Sequence, residues 1–331
     1  MERFALAAAV VLGFALTAAL CSLFVPLRRV LERREQQQQP VQSEQPRPAP
    51  LRAPLWGGLC AAAGTVAAVG VGWLAACVGQ PELLGSEGRL MTRLLTALAG
   101  SLAFGAVGLA EDVARMRSPA ALGLRRDLRL LLEALAAAFV LLLLRAAGCL
   151  PRGLGVPGAG YVLLGSAVPF LWAVLMVALA ECARVAERDE GTVCGAAFVA
   201  MLALMMVEAG LGVSGLAVLP AALAGALVAL GLWAFPPARL GVGCCGSLLA
   251  AGAIGCIPLS LDMTSLTVPL ALPFWAAGGL LAAQLLCAKR TGKPLRCWVK
   301  KHKMSPETVF LCSFALSAVG YVLALALLRW C

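Results

Sequence analysis

The chain has 331 residues, of which 61% are hydrophobic and only 13% charged, and its formal net charge is +10. A soluble domain carries about twice that share of charge. The composition therefore excludes an ordinary soluble enzyme and points to a chain solvated by lipid and by its own helices.

Ten apolar windows are long enough to carry a spanning helix of about 20 residues. They cover 4–27, 55–78, 91–110, 128–146, 158–180, 191–208, 210–233, 240–260, 264–287 and 308–329. All are expected to be helical, because an open strand leaves its backbone groups unpaired in lipid. The first run is too long for a signal-peptide core and follows Glu2 rather than a basic stretch, so it reads as a retained span. Residues 35–50, EQQQQPVQSEQPRPAP, read as a disordered Gln/Pro-rich cytoplasmic linker within a single 1–331 domain. The expected fold is an all-α polytopic transmembrane bundle.

Orientation follows from Lys and Arg. The alternate loops 28–54, 111–129, 181–190, 234–239 and 288–307 hold 21 of the 27 basic residues, which places them in the cytoplasm by the positive-inside rule. Both termini then lie outside, which requires an even number of spans, and ten satisfies it. The basic residues are spread over short loops without interleaved aromatics, so no nucleic-acid partner is expected. No internal repeat suggests a transporter. The thirteen cysteines fall mostly in apolar stretches without paired metal-ligand spacing, and read as small hydrophobes rather than disulfides or a zinc site.

Polar residues collect at the predicted cytoplasmic helix ends. Glu111 and Asp112 close the third window, and as neighbours on a helix they point about 100° apart. Glu181, Arg184, Glu187 and Glu190 follow the fifth window, with Glu187 and Glu190 spaced to share a face. Cys244 begins the eighth window, and Lys293 and His302 lie in the last basic loop. Carboxylates beside Lys and Arg at a membrane surface suit Mg²⁺ and a diphosphate, although charges at helix ends also serve as solvated caps. Glu133 lies inside the fourth window, where a carboxylate needs a partner. Spacing alone offers Arg129, one turn away.

At these clusters the sequence resembles the polyprenyl-phosphate N-acetylhexosamine-1-phosphate transferases, glycosyltransferase family 4. The branch it looks most like is phospho-N-acetylmuramoyl-pentapeptide transferase. Pro54, Gly57 and Gly58 match a TPTMGG segment. Gly108 to Leu124 matches GFIDDYxKxxxxxxxGL, keeping Gly108, Asp112, Gly123 and Leu124, with Arg115 for Lys. Arg129 and Glu133 stand where the family has Lys and Gln. Pro237, Ala238, Gly243, Gly246 and Ser247 match PAxxFMGDxGS, and Thr291-Gly292-Lys293 matches TGK.

The resemblance implies transfer of a sugar phosphate from a UDP-amino sugar to undecaprenyl phosphate, with Mg²⁺ as cofactor. It implies a multi-pass protein of the bacterial plasma membrane acting in peptidoglycan biosynthesis. Glu111, Asp112, Glu187 and Glu190 fall at catalytic positions, and Arg184, Lys293, His302, Arg129 and Glu133 at substrate-binding ones. Glu187 and Cys244 fall at metal positions, and a homodimer is among the expected partners.

Three departures bear on this chemistry. The adjacent Asp pair is Glu111-Asp112, an Asn has become Arg184, and the metal-holding Asp is Cys244. Thiols are soft and Mg²⁺ is hard. Arg184 either neutralises phosphate in place of the metal or closes the site as a salt bridge. The alternative to an active enzyme is an impaired relative that binds lipid or a partner.

Overall fold

The computed structural model describes residues 2–38, 56–79, 89–117, 123–151, 153–156, 160–163, 165, 167–187, 191–213, 215–235, 238–291 and 306–330. The described chain is almost wholly helical. Its helices are α1 (Glu2–Gln38), α2 (Gly57–Gly79), α3 (Arg89–Arg117), α4 (Arg126–Ala146), α5 (Ala167–Ala186), α6 (Thr192–Gly210), α7 (Val218–Ala234), α8 (Gly243–Ser260), the short α9 (Thr267–Leu270), α10 (Leu272–Thr291) and α11 (Pro306–Trp330). Every apolar window holds a helix.

Seven helices are long and apolar enough to cross a membrane, and an eighth span arises if the α9–α10 pair counts as one. Two windows fall outside that number. Helix α4 carries Arg129, Glu133 and Arg145 among its apolar residues, and α7 has only 17 residues. The chain is a multi-pass membrane protein.

Four expectations change. The window 158–180 is not helical throughout: Gly153–Val156 and Gly160–Leu163 pair as a two-stranded antiparallel hairpin, and α5 starts only at Ala167. The two strands pair only with each other and leave their outer edges open, so the hairpin belongs in the connection between α4 and α5 rather than in a span. The window 264–287 is bent by 64° between α9 and α10, where Pro269 and Pro273 flank the break. Proline lacks the N–H that would carry a helix through. Helix α1 runs through Gln38, so residues 35–38 of the expected linker are helical, while 39–50 lie outside the described residues. The charged ends of α3 and α5 are also helical rather than loop, to Arg117 and Ala186.

Helix α8 is the axis of the bundle, and every one of its residues is buried. Its small side chains let neighbours approach closely, as van der Waals packing in lipid favours. A Cβ on Gly108 of α3 would collide with the Cys244 backbone, and one on Gly58 of α2 with the Gly246 backbone. Gly57 donates its N–H to the Gly241 carbonyl at 3.2 Å. The start of α2, the end of α3 and the start of α8 are therefore locked together at one end of the bundle.

Candidate functional site

That end carries the charged cluster. Gly108 and Asp112 are four residues apart on α3, so they lie on the same face, toward α8. The close approach that Gly108 permits brings the Asp112 carboxylate onto the first turn of α8. Its Oδ1 accepts the Cys244 N–H at 3.0 Å and its Oδ2 the Cys245 N–H at 2.9 Å. A buried carboxylate thus caps the helix N-terminus from a neighbouring helix, where amides and helix dipole both favour negative charge.

Glu111, turned away by about 100° on the same helix, faces α4 and α5 instead. It accepts from Arg115 Nη2 at 2.8 Å and pairs with Arg184, with Arg129 Nη1 at 3.7 Å. Arg184, on the last turns of α5, also pairs with Glu133 of α4, which is 0% exposed. Arg129 grips Glu181 with two hydrogen bonds of 3.0 and 3.2 Å. The Arg129–Glu133 pairing that spacing suggested is not formed, because Glu133 points inward to Arg184.

Glu187 follows the end of α5, one residue past the helix. It accepts from the Cys244 thiol at 3.2 Å and from Arg115 Nη1 at 3.4 Å. One potential ligand atom from each of Asp112, Glu187 and Cys244 lies within 4.8 Å of the others. This is the part of the cluster where a cation or a phosphate could be met.

The structure therefore brings together Glu111, Asp112, Glu187, Arg184, Arg129, Glu133 and Cys244 from four helices. Glu190, Lys293 and His302 lie outside the described residues, so the shared face expected for Glu187 and Glu190 is not described either. Two residues belong to the cluster that the sequence reading did not place among its site residues. Arg115 bridges Glu111 and Glu187, and its signal was its i, i+4 spacing from Glu111. Glu181 anchors Arg129 across helices, which spacing along one helix could not show.

Among the described residues of the cluster, Arg184 is absorbed by Glu111 and Glu133, and Arg129 chiefly by Glu181. Asp112 and Glu187 are left with Arg115 as the guanidinium beside them.

The sequence model of glycosyl transferase family 4 matches residues 94–262, from the first turns of α3 to just past α8. That stretch is half of the chain and includes all nine residues of the cluster. The chain belongs to glycosyl transferase family 4. A comparison with curated proteins found no match. Family 4 membership points to a membrane phosphosugar transferase, and the family 4 stretch is the one that builds the α3–α8 lock and the ion-pair layer upon it.

Proposed function

We propose that the chain is a slow phosphosugar transferase that moves a sugar phosphate from a UDP-amino sugar to a polyprenyl phosphate, similar to the phospho-N-acetylmuramoyl-pentapeptide transferases. The reaction takes place at the inner face of a bacterial plasma membrane, in cell-wall lipid-intermediate synthesis. The bundle crosses ten times with both termini outside, α4 and α7 being spans despite their charge and length.

The observation that carries this reading is the meeting of Asp112 and Glu187 beside Arg115 at the buried start of α8. Arg115, partly exposed, faces incoming phosphate. Glu187 or Asp112 accepts the proton of the lipid phosphate and orients it for attack. Lys293 and His302 lie outside the described residues, and their part in substrate binding rests on the resemblance alone.

The resemblance implies Mg²⁺, and the donor set is a poor match to it. Two carboxylates suit a hard ion that demands octahedral oxygen geometry, but the third donor is a thiol that hydrogen-bonds Glu187. No step is therefore assigned to a metal. A metal normally supplies several kcal/mol of transition-state stabilisation. Losing about 3–5 kcal/mol slows a step roughly 10²- to 10⁴-fold.

A second reading, binding of the same lipid or nucleotide sugar without turnover, is favoured by the closure of Arg184 onto Glu111 and Glu133. UMP release from UDP-N-acetylmuramoyl-pentapeptide in the presence of undecaprenyl phosphate decides between them. Slow release that needs both substrates supports transfer, and none above the blank supports binding alone.

A further inference from the structure

Helices α1 and α2 are held close by small residues. A Cβ built on Gly64 would stand 3.3 Å from the Thr17 Cα, and one on Gly72 would stand 3.7 Å from the Ala9 Cα. From the second pair to the first, α1 advances eight residues while α2 retreats eight, so the helices are antiparallel. The similar distances mean that their separation hardly changes along the seam. Four residues further, about one turn on each helix, the seam reaches Cys21 on α1 and Cys60 on α2.

Both thiols are buried, at 0% and 1% exposure, at the same level of the seam. Beyond them Phe24 stacks on Trp56 with ring centroids 6.0 Å apart, closing the seam at the end that holds the site. A disulfide needs Cα atoms about 4.4–6.8 Å apart, and the close, even approach at Gly64 and Gly72 carries the seam toward that range at Cys21 and Cys60.

We propose that Cys21 and Cys60 form a redox-active dithiol that a peroxide closes to a disulfide, stapling α1 to α2. One thiol, as its thiolate, attacks a peroxide oxygen. The O–O bond breaks, the departing hydroxide takes up the thiol proton as water, and a sulfenic acid remains. The second thiol attacks that sulfur, the S–S bond forms as the S–O bond breaks, and a second water leaves. Two thiols are oxidised and one peroxide is reduced to two waters.

Hydrogen peroxide is small and uncharged, which suits a seam that shields these thiols from bulk solvent. Cys60 is two residues from Gly58, whose backbone packs on Gly246, so the staple fixes the helix start that abuts Cys244 and Cys245. The inference is independent of the activity proposed above, since it concerns the seam alone.

The test uses the full-length protein in lipid nanodiscs. It is treated with hydrogen peroxide, its remaining thiols are blocked with N-ethylmaleimide, and it is denatured, digested and sequenced by mass spectrometry. A peptide pair joined through Cys21 and Cys60 is expected. It should be absent without peroxide, released by reductant, and lost in both Cys21→Ala and Cys60→Ala. Recovery of both residues as maleimide adducts after peroxide overturns the proposal, and so does a Cys21 link that persists in Cys60→Ala. The wild-type peptide map is decisive even if a variant folds poorly.

Discussion

Arg184 and Glu133 form an ion pair between α5 and α4 in a part of the bundle where the glutamate has no exposure at all. Each is unusual for its place in an apolar helix, and each accounts for the other. A buried guanidinium without a carboxylate, or the reverse, would leave an unpaired charge. The sequence reading set Arg184 and Glu133 apart from the family pattern separately, and the structure pairs the two.

That pairing sets the first prediction. Arg184→Gln leaves Glu133 and much of Glu111 without a partner and should destabilise the fold by about 3–5 kcal/mol. Adding Glu133→Gln should recover most of it. Thermal unfolding in detergent across the double-mutant cycle measures the coupling; additive losses would show that the pair is not linked.

Asp112 supplies the second. Asp112→Asn removes the charge and turns one acceptor into a donor facing a backbone N–H, so one of its two bonds to Cys244 and Cys245 is lost. A loss of about 1–3 kcal/mol is expected. Amide exchange at the first turn of α8 should rise in this variant and stay low elsewhere in that helix.

These two residues show how far the sequence reading reached. Apolar windows located every long helix, because a span must be long and apolar wherever it packs. They could not foresee the 153–163 hairpin or the break after Leu270, where a continuous apolar run hides local turn and proline effects. The divergence of Glu111 and Asp112 was legible from helix geometry alone. The partner of Glu133 was not: spacing within α4 offered Arg129, and only the packing of α5 brings in Arg184. Arg115 lay in plain view one turn from Glu111, but its bridge to Glu187 depends on the end of α5.

Glycine packing gives the third prediction. Gly58→Ala must push the Gly246 backbone away and should cost about 1–3 kcal/mol. Gly70→Ala, on the same helix with nothing near its added methyl, should instead be neutral or stabilising by about 0.5–1 kcal/mol. Comparison of the two melting temperatures checks the lock at the start of α8. Equal behaviour would mean that α2 does not abut it.

Topology gives the fourth. The proposed ten crossings with an external N-terminus would place a reporter fused after Cys331 outside the cytoplasm. Alkaline phosphatase active only in the periplasm should therefore be active there, and a fluorescent protein that matures only in the cytoplasm should be dark. The opposite pattern would contradict the proposed topology, either its even number of crossings or its external N-terminus.

The central claim is chemical, and UMP release tests it most directly. With UDP-N-acetylmuramoyl-pentapeptide, undecaprenyl phosphate and Mg²⁺, the purified protein should release UMP slowly, and Asp112→Ala or Glu187→Ala should abolish the signal. Restoring Cys244→Asp alone should raise the rate little, since Arg184 still closes onto Glu111 and Glu133. No release above a blank lacking the lipid would contradict transfer, and a fast, Mg²⁺-dependent rate in the unmodified protein would contradict the account of Cys244.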